Sequence, residues 1–390
     1  MKLRLIALEG KSPSDTVGER HDMVLLFDCS KSNPNGDPDT GNMPRIQPDS
    51  LKGLVTDVCL KRKIRNLLSQ YHPDGIPRGD AAAKPGYDVF IRENAILQHT
   101  LESEAVAKRA RSAFEEIVKK DNALKSRSEA LMEDAFGLKQ KSGLTESEKK
   151  EAKTLVRTFA EVKERAFRDA LCDLYFDIRW FGAVVSTKGP LKGSFYGQIR
   201  GPIQITFAES LDKVLQLDAS ITRCAKTSED ERGESEEGGN RTMGRKFGID
   251  YGLYRCNIHL SPAFAAKTGF TYYDLDNFLF ALTQMFEQDH AAGRHVRMVG
   301  LVDFQHATAL GNAPAHKLFE QVCVTGIKNN SDGATFKSSG SEFPRDLSDY
   351  RATAPGGTDG YSAVEGEKMK NVKARKIIWE FRDVPVKEAS

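Results

Sequence analysis

Hydrophobic residues are grouped along the chain into short strand-like runs, which are separated by one long region of helical periodicity. The first run, residues 23–30, is apolar without interruption and predicts a buried strand. Further strands are predicted at 174–185, 203–207, 251–260, 296–304, 319–327 and 376–381. Helices are predicted from about residue 50, over most of 89–176, and from Tyr272 to about residue 291. The pattern indicates an α+β fold with a large helical insertion.

The loop after the first strand is rich in residues that restrict or relax the backbone. Prolines at 34, 38, 44 and 48 and glycines at 36 and 41 predict an ordered loop rather than a free one. Asp49 is expected to cap the following helix. The apolar stripe of that helix would comprise Leu51, Leu54, Val55 and Val58.

The same helix is expected to carry a basic surface. Lys61, Arg62 and Arg65 fall on the angular line of the apolar stripe, so the helix bends here or offers its second half to a partner. A solvated basic helix end explains the pattern equally well. Residues 45–65 contain six basic side chains and two acidic ones, and this bias favours a polyanion such as RNA.

Two later segments have unusual composition. Residues 189–202 are rich in glycine, which lets a ligand approach the backbone closely. Residues 228–239 are acidic and glycine-rich and are flanked by basic residues, so they cannot form a core of their own. We expect residues 223–246 to form an extended hairpin or a mobile loop.

The whole chain is nearly neutral. Its 390 residues include 57 Lys+Arg and 55 Asp+Glu, giving a formal charge of +2, and the hydrophobic content of 39% is enough for a real core. A polyanion site must therefore be a local groove. The six cysteines are widely spaced, and no signal peptide or membrane span is visible, so we expect a cytoplasmic protein with reduced thiols, without a structural metal or membrane contact.

Catalytic motifs are not evident. The eight histidines show no metal-binding spacing, and the chain has no Walker loop, dinucleotide fingerprint or nucleophile elbow. Asp28, Asp37 and Asp39 could hold a metal for RNA cleavage, but turn chemistry explains the Asp-Pro alternation of the last two. We expect no enzyme activity, no catalytic residue and no cofactor.

Five blocks of sequence occur in an order that is specific to one family. They are Asn33–Asp39, Leu60–Asn66, Asp177–Val184, Gly197–Gln204 and Met243–Tyr254. The chain resembles the crRNA-binding backbone subunit of type I CRISPR Cascade, and among its branches type I-C most closely. The resemblance runs from about residue 22 to about 327, whereas the stretches near 115–165 and 328–368 are longer than the family pattern.

The resemblance implies a modified RRM or ferredoxin-like palm, an antiparallel sheet with helices, that carries a helical finger insertion and a thumb. Copies of the subunit would polymerise along one crRNA as a helical filament and kink it at regular intervals. The guide would pair with target DNA and form an R-loop in antiviral defence. Further partners would be a subunit that binds or processes the crRNA 5′ handle, a large subunit and a small subunit.

Boundaries and contact residues follow from the resemblance and the residue pattern together. Residues 1–88 would begin the palm, 89–172 would form the finger, 173–327 would complete the palm with a thumb at about 223–246, and 328–390 would be a flexible loop and a final strand. The expected RNA contacts share basic or amide side chains or close backbone, and are Lys31, Asn33, Asn35, Arg45, Ser50, Lys52, Lys61, Arg62, Arg65, Gln198, Arg200, Gly201, Arg223, Lys226, Arg241, Arg245 and Lys246.

Two other functions remain open from the sequence. A type III-like backbone subunit would have the same palm and would cleave target RNA with Asp28 or Asp37. A stand-alone RRM-type protein would bind a short RNA sequence as a monomer, but the two aromatic RNA-binding stretches of such modules are absent.

Overall fold

The uninterrupted apolar run near the start of the chain is the central strand of the fold. The computed structural model describes residues 11–72, 77–78, 85–121, 146–186, 189–222, 243–291, 293–328, 335–337, 339–366 and 369–381, with the side chains of 146–156, 159 and 243 excepted. Strand β1, His21–Ser32, is buried from His21 to Cys29. Both of its faces are covered, which is why its sequence shows no alternation of polar and apolar residues.

The described strands follow β1 in chain order. They are β2 Gly36–Asp37, β3 Met43–Pro44, β4 Lys52–Val55, β5 Gly182–Val184, β6 Gln198–Arg200, β7 Ile203–Ile205, β8 Ala208–Lys213, β9 Gln216–Thr222, β10 Met243–Leu260, β11 Val296–His306, β12 Cys323–Gly326, β13 Tyr350–Thr353, β14 Ser362–Ala363 and β15 Val372–Trp379. Nine of them form one antiparallel sheet in the order β14-β15-β11-β1-β10-β8-β4, with β7 and β9 also paired to β10.

The described α-helices pack around this sheet. They are α1 Asp57–Gln70, α2 Leu97–Leu101, α3 Glu104–Lys120, α4 Glu146–Leu174, α5 Phe176–Phe181, α6 Pro262–Thr268, α7 Tyr272–Gln284 and α8 Ala315–Glu320. Within the described ranges, none has the length and apolarity that crossing a bilayer requires.

Alternate residues of β1 belong to two different hydrophobic cores. Met23, Leu25 and Phe27 pack with buried residues of α1 and α7. Val24 and Leu26 face the other way, against residues of the 313–372 region. A third cluster joins α3, α4 and α5 to β6. Because burial on both faces fixes the register of β1, the loop that follows it is held in one position.

The predicted start of the first helix is wrong. Residues 52–55 form a strand that pairs Leu54 with Glu209 and Val55 with Ala208. The helix begins at Asp57, and its cap is the Thr56 hydroxyl, which accepts the Cys59 amide at 3.4 Å. Asp49 therefore caps no helix, and Val58 is 63% exposed. A short apolar run fits both periodicities, and pairing with β8 decides the outcome.

The strand predicted at 174–185 is mostly helix. Helix α4 extends to Leu174, α5 follows directly, and only Gly182–Val184 is a strand. All six residues of α5 are buried, and Phe176 and Trp180 pack on the same side with ring centroids 4.8 Å apart. The polar residues of this run are buried in ion pairs, so helical amphipathicity is not visible in the sequence.

The remaining differences concern the C-terminal third. Residues 315–320 are helical and only 323–326 form a strand, where one strand over 319–327 was predicted. Helix α7 ends at Gln284 rather than near 291. The predicted loop at 328–368 contains β13, which pairs with β12, and β14, which pairs with β15. This segment covers the second face of the central strands.

Candidate nucleic-acid interface

The end of β1 and the residue that follows it are fixed by hydrogen bonds to a turn that precedes β11. Ser30 N–H donates to the His295 carbonyl at 3.1 Å, and Asn33 N–H donates to the Gly293 carbonyl at 3.1 Å. The Ser32 hydroxyl accepts the His295 amide at 2.9 Å. Two segments that are about 260 residues apart in sequence therefore form one surface at this end of the sheet.

Basic side chains project from this surface. Lys31 has φ +46° and is exposed, and Lys246 is exposed on β10. The Lys246 stem runs over the turn, since a Cβ on Gly293 would lie 3.0 Å from Lys246 Cε. His290 and His295 have ring centroids 6.1 Å apart. We call the five residues Lys31, Lys246, His290, Arg294 and His295 the basic shelf.

The described acidic residues next to the shelf on the chain already have partners. Asp289 accepts from Arg294 at 3.2 Å and also pairs with Lys63 of α1. His290 lies 3.6 Å from Glu287. Among the residues that the structure describes, Lys31 and Lys246 have no ion-pair partner. The shelf therefore presents a positive surface that suits phosphate groups.

The sequence identified only part of this shelf. Lys31 and Lys246 are among the predicted RNA contacts, whereas His290, Arg294 and His295 are not. Only the pairing of the 293–295 turn with the loop after β1 brings them together. Helix α7 ends at Gln284, so these residues lie on a turn rather than on a helix. The run of basic and imidazole side chains at 290–297 was the available signal.

The amide side chains predicted to contact RNA also build the loop itself. Asn35 Oδ1 accepts both the amide and the hydroxyl of Thr56, each at 3.0 Å. Asn33 Nδ2 donates to the Asn42 carbonyl at 2.8 Å. Arg45 lies 3.3 Å from Asp37 and is partly exposed. These contacts tie the loop to the start of α1 and keep the shelf rigid.

Helix α1 turns most of its basic side chains toward the protein. Lys61 pairs with Asp57 at 2.8 Å, and Arg62 donates to the Ile91 carbonyl at 2.9 Å. The Arg65 side chain is 9% exposed, and its guanidinium donates to buried Asp177 at 2.9 Å and lies over the Phe181 ring. The assignment of Arg65 to an RNA phosphate is therefore corrected, because its charge stabilises a buried carboxylate.

Ser50 and Lys52 lie on the approach to β4. The Ser50 hydroxyl donates to Gln47 Oε1 at 2.6 Å, and Lys52 pairs with Glu209 at 3.0 Å. Both are partly exposed. Their RNA contacts stay predictions, since each could exchange its present partner for a phosphate.

The predicted ledge at 198–201 divides into two kinds of residue. Gln198 and Arg200 are exposed on β6, which pairs with β5. Gly201 is buried instead, and a Cβ there would lie 2.3 Å from the Trp180 carbonyl and 2.5 Å from the Gly182 amide. The close approach at Gly201 is thus made by the chain's own backbone, and its assignment to RNA is corrected.

Gly201→Val is expected to destabilise the protein by about 1–3 kcal/mol or more, because the side chain would displace the Trp180–Gly182 backbone. The midpoint of chemical denaturation measures the loss. Gly360→Val is the matched control, since a Cβ at Gly360 meets no atom within 4 Å. Equal midpoints for the two variants would contradict the close-packing explanation.

Most of the predicted thumb falls outside the described residues. This applies to Arg223, Lys226 and Arg241, whereas Arg245 pairs with Asp218 at 3.2 Å across β9 and β10. The ladder of these strands runs from Ile249–Gln216 to Met243–Thr222. Most side chains of β9 are exposed. Residues 223–242 therefore connect the ends of two paired strands, of which β9 is largely exposed.

The carboxylates considered for RNA cleavage are bound to neighbouring groups. Asp28 is buried and accepts from Arg297 at 2.7 Å and from the Tyr251 hydroxyl at 3.2 Å. The bond to Asp28 raises the pKa of Arg297, and burial followed by the Asp28 charge raises the pKa of Tyr251. Asp37 accepts the Asp39 amide at the start of a short turn. In the part of the chain that the structure describes, no three acidic, histidine or cysteine side chains are arranged to hold a metal.

Comparison with known proteins identifies the family. The family model for "CRISPR-associated protein Cas7" matches residues 19–354. The CRISPR-associated protein Cas7 of Haloferax volcanii is 31% identical over 85 residues, which are 22% of this chain and 21% of that protein. The match thus spans about a fifth of the length of this curated relative.

Two solved structures also match at low similarity. A chain of a "CRISPR RNA-guided surveillance complex, pre-nicking" is 12% identical, with 73% of this chain and 78% of that chain covered and a TM-score of 0.37. A chain of a "CRISPR RNA-guided surveillance complex" is 11% identical, with 73% and 68% covered and a TM-score of 0.33. Because the family model spans most of the sequence, the chain belongs to the Cas7 family of CRISPR-associated proteins.

Proposed function

We propose that this protein is the crRNA-binding backbone subunit of a type I CRISPR surveillance complex of the Cascade type, closest to the type I-C branch. The observation that carries the proposal is the basic shelf, where Lys31 at the end of β1 and Lys246 on β10 are exposed beside a turn that is hydrogen-bonded to the end of β1. Family membership agrees with it. The five sequence blocks named above support the type I-C assignment.

The shelf is suited to a sugar-phosphate backbone rather than to a particular base sequence. Cations and imidazoles bind phosphate without reading the bases, which a subunit that accepts any guide requires. The formal charge of the whole chain is only +2, so the positive charge of the shelf is a local feature of the surface. In a filament, acidic surface of one copy would contact basic surface of the next copy, and this charge complementarity would favour assembly.

The fold supports the parts that such a subunit needs. Strands β1, β10 and β11 with helices α1 and α7 would form the RRM-like palm. Helices α2 to α4 would form the finger. The paired strands β9 and β10 would carry the thumb, with Arg223, Lys226 and Arg241 on the segment between them. Cas7 copies would then follow one another along the crRNA and leave kinked segments free to pair with target DNA.

The proposed role is binding and not catalysis. Asp28 is neutralised by Arg297, and Asp37 is engaged by Asp39 N–H and Arg45. This arrangement gives no support to the type III-like alternative of RNA cleavage. The other proposed partners are the remaining Cascade subunits in the cytoplasm, and the proposed process is R-loop formation in antiviral defence.

RNA of increasing length should bind a proportionally increasing number of copies, whatever its sequence. Mass photometry of the full-length chain with unrelated RNAs of about 20, 40 and 60 nucleotides measures the number of copies bound.

Nuclease footprinting should give evenly spaced protection, and added Mg²⁺ should leave complementary RNA uncut. Deletion of residues 228–239 should abolish the even spacing while RNA binding persists. One copy per RNA at every length would reject the filament, and periodic cuts would favour the type III-like enzyme.

A further inference from the structure

A large groove lies between the helical insertion and the strand β6. It encloses about 1160 Å³ and is lined by α3, the C-terminal half of α4, the turn before β6 and the end of α6. None of the basic shelf residues lines it. The groove is therefore a second surface, built by other elements of the fold.

The acids of this groove are already occupied. Glu116 and Asp173 both accept from Arg109, at 2.9 and 2.6 Å. Asp169 accepts from Arg168 at 2.5 Å. Asp121 also has an interaction partner. Within the described residues, each acidic side chain on the groove wall thus already has a partner.

Three cations of the groove have no such partner. The exposed cations are Lys120 at the end of α3, Arg200 on β6 and Lys267 in the last turn of α6. Within the described ranges, none of them forms an ion pair, and Lys267 lies 5.9 Å from the centre of the Phe264 ring. The groove therefore has an excess of positive charge that faces solvent.

An aromatic ring is held at the mouth of the groove. Phe195 is 84% exposed, although it lies on a rigid turn. The Ser194 hydroxyl accepts the Tyr196 amide at 3.0 Å and donates to Glu164 at 2.7 Å. Tyr196 is in turn covered by the guanidinium of Arg168, at 5.5 Å. The turn thus fixes Phe195 in place with its side chain largely in solvent.

We propose that this groove binds a single-stranded nucleic acid, with a base stacked on Phe195 and phosphates at Arg200, Lys267 and Lys120. An exposed aromatic ring beside unpaired cations is the combination that sequence-independent single-strand binding uses. An acidic peptide would satisfy the cations but would leave the ring without a role. This site goes beyond the proposed function, because the strand it holds is a second one, separate from the RNA on the shelf, and Arg200 is thereby reassigned from the guide to this second strand.

The test measures binding of a strand that cannot pair with the guide. Fluorescence anisotropy of a labelled 15-residue oligothymidylate is followed with the full-length chain, both free and loaded with RNA. Phe195→Ala should weaken binding about tenfold, and Phe195→Trp should restore it. Arg200→Glu with Lys267→Glu should weaken binding further and flatten its dependence on salt.

Controls separate the groove from the rest of the surface. Leu310→Ala removes a side chain that is 90% exposed elsewhere, and Lys370→Glu reverses an exposed charge; neither should change oligothymidylate binding. Unchanged binding in Phe195→Ala would overturn the proposal. So would a ten-residue oligoglutamate that competes as strongly as oligothymidylate, since it would indicate an acidic protein partner. If RNA loading fails, the function proposed for the shelf is wrong, whereas the Phe195 comparison in the Lys31→Glu, Lys246→Glu background still decides the groove.

Discussion

Replacing Asp274 by alanine is expected to cost about 3–5 kcal/mol of stability, because it leaves a buried guanidinium without its counter-charge. The Asp274 carboxylate accepts from Arg179 at 2.8 and 3.0 Å, from Trp180 Nε1 at 2.9 Å and from the Tyr87 hydroxyl at 2.7 Å. It also completes the capping box of α7 with Thr271. Chemical denaturation of the full-length chain, or the soluble yield if the variant does not fold, measures the loss.

Asp218→Ala is the matched control for this prediction. Asp218 also pairs with an arginine, Arg245, but the two side chains are 46% and 68% exposed. Exposed pairs contribute roughly 0–1 kcal/mol, so the denaturation midpoint should hardly move. A loss of equal size in both variants would mean that burial of the Asp274 network does not matter.

The same network determines part of the acid stability. Burial alone would raise the pKa of Asp274, but the charge and hydrogen bonds of Arg179 outweigh it and lower the pKa. A carboxyl whose pKa is lowered by folding stabilises the fold above its unfolded value of about 3.9. That stabilisation is lost as the pH falls through the lower folded value. Asp274→Asn should therefore flatten the acid side of the stability profile.

Reversing both free lysines of the basic shelf is expected to give the largest loss of RNA binding. Lys31→Glu with Lys246→Glu should lower affinity more than about tenfold at about 0.15 M salt, because two phosphate contacts become repulsive. The slope of log affinity against log salt should fall by about 1.4, at 0.7 for each lost contact on a single strand. Filter binding of unrelated RNA sequences over a salt series measures both.

The control exchanges the same charges on another part of the surface. Lys337→Glu with Lys370→Glu also reverses two exposed lysines and should leave the salt slope unchanged if position matters more than total charge. The denaturation midpoint of the shelf variant should match that of the unaltered protein, since neither shelf lysine has an ion-pair partner in the described residues. An equal loss of RNA binding in the two double variants would reject the shelf as a local site.

The strands that are predicted most accurately from the sequence are the buried strands of the main sheet. The continuous apolar run at 23–30 is observed within β1, and the runs at 203–207, 251–260, 296–304 and 376–381 are all found at strands of the main sheet. The run at 174–185 fails because the acidic and basic residues of α5 are buried with partners that are distant in sequence.

The candidate site shows the same limit. Lys31 is recognisable because it lies at the end of a buried strand, but the shelf also needs a turn about 260 residues later in the chain. Arg65 and Gly201 have the residue types of an RNA site, yet one pairs with Asp177 and the other admits the backbone of Trp180. Residue type and spacing cannot distinguish a ligand contact from an internal one when the partner is far away in sequence.

The Asp177 carboxylate joins three segments that are distant in sequence. It accepts from Arg65 on α1 and from the amides of Phe90 and Ile91, while its own residue lies on α5. During divergence of the family, a lineage that lost Arg65 alone would retain an uncompensated anion in its interior. We therefore expect Arg65 to be replaced mainly in lineages where residue 177 has already become neutral. The two positions should be inherited as a pair, and a chimaera that takes α1 and α5 from different relatives should carry both from the same parent.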